Sequence, residues 1–114
     1  MHKLTVEEIQ QFLDTRDKGV LSNGPHYPND GMFCALEAVG QLRSTSWTDM
    51  PAVVGMPDVR PINDGSWSSD VARTQAMLPM LASVSRWALW TIEQRKRWSE
   101  QVAINTISTI ISEL

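Results

Sequence analysis

Residues 66–114 read SWSSDVARTQAMLPMLASVSRWALWTIEQRKRWSEQVAINTISTIISEL, a run of 49 residues with no glycine and a single proline, Pro79. Glycine and proline are the residues that most disfavour a helix interior. A stretch this long with so little of either reads as mostly helix. Ser66 or Ser68 can cap a helix from about Trp67 to Leu78, because a serine hydroxyl accepts one of the unpaired first-turn amides. Pro79 is expected to kink that helix or start a new one, since it lacks an amide and crowds the preceding turn. From Met80 the pattern resumes, and Ile104, Ile107, Ile111 and Leu114 fall at i, i+3, i+7 and i+10 with Ala103 and Ile110 beside them. Their β-branched side chains would also suit a strand. Strict alternation fails at Ile107 and at Ile110–Ile111, however, so the helical period prevails.

Upstream, Thr5-Val6-Glu7-Glu8 is a capping box, with Leu4 and Ile9 placed as a hydrophobic staple. Val6, Ile9, Phe12 and Leu13 form one apolar stripe that Gly19 is expected to end. Residues 19–30 hold Asn23-Gly24-Pro25 and Pro28-Asn29-Asp30-Gly31, the vocabulary of turns. A second helix is predicted from Met32 to Arg43, capped by Asp30, with Met32, Ala35, Leu36, Val39 and Leu42 on one face and Cys34, Glu37 and Gln41 toward the other. Residues 44–65 contain Pro51, Pro57 and Pro61. They read as an irregular connector with helical turns near Met50–Val54, and Val53, Val54, Met56, Val59 and Ile62 make it apolar enough to lie on the core. The expected architecture is all-α: one compact domain over residues 1–114, of four to five helices joined by this proline-containing connector.

Composition narrows the function. Ten Lys and Arg against 13 Asp and Glu leave a formal charge of −3, which gives no global attraction to nucleic acid or anionic lipid. Residues 1–64 carry −4 and residues 65–114 carry +1. The lone cysteine, Cys34, cannot close an intramolecular disulfide, and the acidic start lacks the apolar stretch of a signal peptide. A cytoplasmic location is the simplest expectation. No uncharged apolar run approaches the ~20 residues that span a bilayer, so no membrane insertion is expected.

The run Asp30-Gly31-Met32-Phe33-Cys34-Ala35-Leu36-Glu37-Ala38 puts a cysteine at a predicted helix start, where first-turn amides lower a thiol's pKa. It resembles the nucleophile helix of papain-like peptidases, including ovarian-tumour-type deubiquitinases. That resemblance implies a histidine base downstream of the cysteine, whereas His2 and His26 both lie upstream. A cysteine without a base is a poor acyl-transfer catalyst, and a small buried helical residue is the competing reading of Cys34. His26, Cys34 and Glu37 could also meet at a ligand or metal, but their spacing matches no zinc signature. A loop histidine plus a surface glutamate is the plainer reading, and no metal or cofactor is expected. Phosphate loops, Gly-x-Ser-x-Gly elbows and His-Glu-x-x-His pairs are absent from the sequence.

The order Cys34-Ala35-Leu36-Glu37-Ala38-Val39, Trp47-Thr48-Asp49-Met50-Pro51, Pro61-Ile62-Asn63-Asp64 and Arg73 is similar to uncharacterised small bacterial helical proteins. Those carry a Cys-x-x-Glu-Ala helix, a Ser-Asp-x-Pro turn and a later Asn-Asp pair followed by arginine. The resemblance brings no activity. It implies that Glu37, Asp49, Asn63, Asp64 and Arg73 form one polar centre. Read from the residues alone, Asp49, Asn63 and Asp64 are turn and cap formers.

Tryptophan is the unusual component, with five against one tyrosine and two phenylalanines. On a continuous wheel through residues 86–114, Leu89, Ile92, Ala103, Ile107, Ile110 and Leu114 share one face, while Trp87, Trp98 and Val102 point the opposite way with Trp90 to one side. A helix apolar on two sides is either buried on both or offers one to a partner. Trp87, Trp90, Arg95 and Trp98 combine aromatic and guanidinium chemistry typical of interface hot spots. A break in the helix could instead bring the rings into one core. The leading expectation is a small, soluble, non-enzymatic interaction module, self-associating through its tryptophan-bearing C-terminal helices. The alternative is a small enzyme or ligand-binding protein built around His26, Cys34 and Glu37. The side of the molecule that carries the larger concavity separates the two.

Overall fold

Helix α1 (Val6–Asp14) begins as its sequence dictates. The amide of Glu8 donates to Thr5 Oγ1 at 3.1 Å, and the amide of Thr5 donates to Glu8 Oε1 at 3.3 Å. Leu4, Ile9 and Leu13 are buried. Gly19 turns the chain with φ +63°, a conformation that costs a side chain but not glycine. The structure, a computed structural model, describes residues 2–16 and 18–113, with side chains to Ile104 except Ala103. The predicted stripe of Ala103, Ile107, Ile110, Ile111 and Leu114 therefore lies outside the described side chains.

Helix α2 (Ala35–Leu42) starts three residues later than the expected Met32. Asp30 does not cap it but accepts the amide of Tyr27 at 2.8 Å within the preceding turn, and Cys34 takes the cap position. Residues 35–40 are all buried, so the expectation of one apolar and one polar face fails. The reason is the connector, which folds back over what would otherwise be the outer side. Helices α3 (Pro51–Val54) and α4 (Arg60–Asn63) are single turns within it, and both pack on α2. Gly40 permits this approach, because a Cβ there would meet Thr45 Oγ1 at 2.9 Å.

Helix α5 (Asp70–Ser83) is capped by Ser69, whose Oγ accepts the amide of Ala72 at 3.0 Å, rather than by Ser66 or Ser68. It runs through Pro79 without ending there. Gln75, whose carbonyl loses its partner at Pro79, and Pro79 itself are exposed, so water can take that carbonyl. Arg73, Thr74, Met77, Leu78 and Leu81 form the buried stripe that packs α5 against α1. The chain then breaks. A 3-10 turn spans Trp87–Leu89 and helix α6 spans Ile92–Glu113, so the continuous wheel through residue 86 onward does not hold. Thr91 and Gln94 cap α6 reciprocally at 2.8 and 3.1 Å.

The fold is all-α, and no strand occurs among the described residues. Its radius of gyration of 13.7 Å is close to the ~13 Å expected of a compact chain of this length. Helix α2 is central, flanked by α1 on one side and by α3 and α4 on the other. Helix α6 is not among the closely packed helix pairs of the described residues.

Candidate functional site

Two features could carry function: a buried polar centre at the start of α2, and a tryptophan cluster at the root of α6. Glu37 organises the first. It sits three residues after the cap and is 1% exposed, so its carboxyl must find donors inside the protein. Its Oε1 accepts the Cys34 amide at 2.8 Å and lies 2.8 Å from His26 Nδ1, and its Oε2 accepts the His26 amide at 2.9 Å. The loop before α2 is thereby tied to the helix start. His26 is held at two further points, with Nε2 3.1 Å from Ser22 Oγ and its carbonyl accepting from Trp47 Nε1 at 2.9 Å.

Asn63 extends the network. Its Oδ1 accepts the Ala35 amide at 3.0 Å, and its Nδ2 donates to the Ser22 carbonyl at 3.1 Å and to Asp64 Oδ1 at 2.9 Å. Asp64 Oδ1 also accepts the Gly24 amide at 3.0 Å. Arg73 donates through Nε to the Asn63 carbonyl at 2.6 Å and through Nη1 to Asp70. Glu37, Asn63, Asp64 and Arg73 thus form one connected centre. Asp49 stays apart, with Arg60 Nη1 4.0 Å away. No buried side-chain nitrogen or oxygen among the described residues is left without a partner.

The structure brings His26, Cys34 and Glu37 together, and it corrects the reading of Glu37 as a surface residue. Cys34 does not have the environment of a nucleophile: burial pushes its thiol up to about 12, the opposite of the lowering that a helix start brings to an exposed thiol. The Glu37 and Leu36 amides at the helix start do act on the sulfur and favour the thiolate, but burial outweighs them. No group of three or more His, Cys, Asp or Glu among the described residues is placed to hold a metal ion, and both oxygens of Glu37 already accept from the protein.

Ser22, Gly24 and Trp47 also belong to this centre, and no spacing or motif marks the first two as part of it. The order Ser22 hydroxyl, His26 imidazole, Glu37 carboxyl is that of an acyl-transfer relay. A relay also needs a place for the substrate carbonyl and free amides to hold its oxyanion. Ser22 is buried, and the Cys34 and Ala35 amides are already taken by Glu37 and Asn63. Gly24 closes over the site, since a Cβ there would meet Cys34 Cβ at 2.8 Å. The polar centre is a lock that fixes residues 20–34 on α2, α4 and α5.

At the root of α6, the helix break brings together rings that a continuous wheel would spread apart. Trp87 lies 5.4 Å from Trp90 and 5.3 Å from Trp98, the latter edge to face. The Arg95 guanidinium stands 5.2 Å from the Trp87 ring and donates through Nη2 to the Trp87 carbonyl at 3.0 Å. All three rings are half-buried against the core. They join α6 to the body. On the outer side, Leu89 is 64%, Ile92 86% and Ile104 58% exposed. An open cleft of about 180 Å³ beside Trp90 is lined by Lys3, Ala82, Ser83, Ser85, Arg86 and Trp90, and it shares no residue with the polar centre.

Comparison of the chain with protein-family models, with curated proteins and with solved structures finds no match.

Proposed function

We propose that this chain is a cytoplasmic, non-enzymatic interaction module that self-associates by pairing α6 with α6 of a second copy. The observation that carries the reading is the exposure of Ile92 and Ile104 on a helix whose opposite side, through Arg95 and Trp98, is held to the body. At 100° per residue these two isoleucines bound an arc of about 120°. Within that arc the sequence places Glu93, Lys96 and Glu100 in the first turns and Ala103, Ile107, Ile110 and Ile111 beyond them, so the apolar part is the second half of the helix. Ala103, Ile107, Ile110 and Leu114 recur at spacings of four, three and four residues, the seam of a two-helix coiled coil. A second copy is the occupant favoured by charge. Residues 101–112 contain no Lys, Arg, Asp or Glu, so identical helices meet there without like-charge repulsion, and a charged partner finds nothing to pair with.

Trp87, Trp90, Arg95 and Trp98 act in this reading as the joint that sets the direction of α6.

The test compares two exposed apolar positions. Ile104→Glu places a charge at the edge of the apolar arc, beside the seam, and is expected to move the particle to monomer mass while circular dichroism keeps its helical signal. Val71→Glu, at an exposed position on α5, is expected to leave the mass unchanged. Equal masses for wild type and Ile104→Glu would overturn the reading.

A further inference from the structure

The cleft beside Trp90 has a chemistry of its own. Lys3 and Arg86 bring two cations to its wall, and no carboxylate lines it. Among the described residues no acidic side chain forms an ion pair with either cation. The nearby Glu8 is engaged by His2 Nε2 at 2.9 Å. Two like charges on one concavity repel each other unless an anion lies between them.

The end of α5 does not account for this pair. Helix C-terminal carbonyls attract cations, but the Met80 carbonyl already accepts from Val84 N–H and Ser83 Oγ, and the Ala82 carbonyl accepts from Ser85 N–H. Ser85 supplies a third group. It is buried, and its Oγ accepts the Leu4 amide at 3.1 Å, which fixes the oxygen and leaves its proton to be donated. Trp90 provides a flat apolar wall, its ring positioned by Trp87. The volume of about 180 Å³ equals that of about six water molecules, a size for a small molecule rather than a polymer.

We propose that this cleft binds a small oxyanion, a carboxylate or phosphate, carried on a flat ring. Arg86 and Lys3 hold the charged group, Ser85 donates to it, and the ring lies against Trp90. The site does not depend on α6 pairing.

The test is a titration of the full-length chain followed by the Trp90 indole N–H signal in a proton–nitrogen correlation spectrum, assigned by its loss in Trp90→Phe. Phenyl phosphate and benzoate separate the two sources of charge, inorganic phosphate removes the ring, and benzyl alcohol removes the charge. At least one aryl anion is expected to shift the signal saturably, with benzyl alcohol without effect. Arg86→Gln is expected to weaken binding by roughly tenfold or more, the loss of a charge-assisted hydrogen bond. Lys3→Gln is expected to act in the same direction. Both residues are exposed, so the helical circular dichroism of the variants should be unchanged. No saturable shift with either aryl anion, binding indifferent to both substitutions, or equal binding of benzyl alcohol would overturn the proposal. Inorganic phosphate binding as tightly as phenyl phosphate would overturn the part given to the ring.

Discussion

Glu37 shows what a single buried carboxyl does in this fold. Two backbone N–H donors and the His26 ring converge on it, so removing one acceptor leaves a buried donor unmet. Glu37→Gln keeps the volume but exchanges one acceptor for a donor. It is expected to lower unfolding free energy by about 1–3 kcal/mol, read as a lower midpoint in a urea melt with unchanged slope. At Cys34 the expected outcome is slow reaction with a thiol probe in the native protein and rapid reaction after denaturation, because burial withholds the thiolate. The same group makes stability depend on alkaline pH. The unfolded thiol loses its proton near 9.0 while the folded one keeps it to about 12, so the folded state binds more protons in that window and stability falls as pH rises through it. An alkaline melt of Cys34→Ala compared with wild type checks the sign: the variant should lose less. The cysteine's plain reading as a small buried residue was legible in the sequence, whereas the burial of Glu37 was not. The Cys-x-x-Glu spacing is that of a cap and its third helical residue, but periodicity alone set Glu37 off the apolar stripe. The loop before α2 buries it by bringing His26 onto the helix start.

At the scale of elements, local signals were read correctly where the chain's own neighbours decide the outcome. The Thr5–Glu8 box starts α1 as expected, and Thr5→Ala should cost about 1 kcal/mol, measurable as a midpoint shift with the remaining helical signal intact. An unchanged midpoint would show that the first turn contributes nothing. Pro79 misled because its cost depends on whether water can reach the abandoned carbonyl, which is a tertiary property. The break before α6 had a signal that was passed over: Thr91-Ile92-Glu93-Gln94 is itself a capping box. That break converts tryptophans spread around a wheel into one cluster, so the rings sequence reasoning assigned to a partner serve first to anchor α6. Ser22 and Gly24 could not be found from spacing, since they matter only through contacts with residues far along the chain, such as Asn63 and Asp64.

For the whole molecule, the body and the C-terminal helix are built differently. The first 90 residues or so close a core around α2, and their buried polar groups are all satisfied among the described residues. Helix α6 instead spans 22 residues, about 33 Å, and Arg95 and Trp98 hold its first two turns to the body. An isolated helix of this length draws most of its stability from packing an apolar face, and among the described residues α6 is in no closely packed helix pair. In the proposed pairing, a second copy supplies a surface for that face. The central claim is therefore tested most directly by sedimentation equilibrium of the wild-type chain over a range of concentrations. Helix pairing predicts a mass that rises with concentration from 12.8 kDa toward twice that value. A mass that stays at 12.8 kDa up to the highest soluble concentration would contradict it.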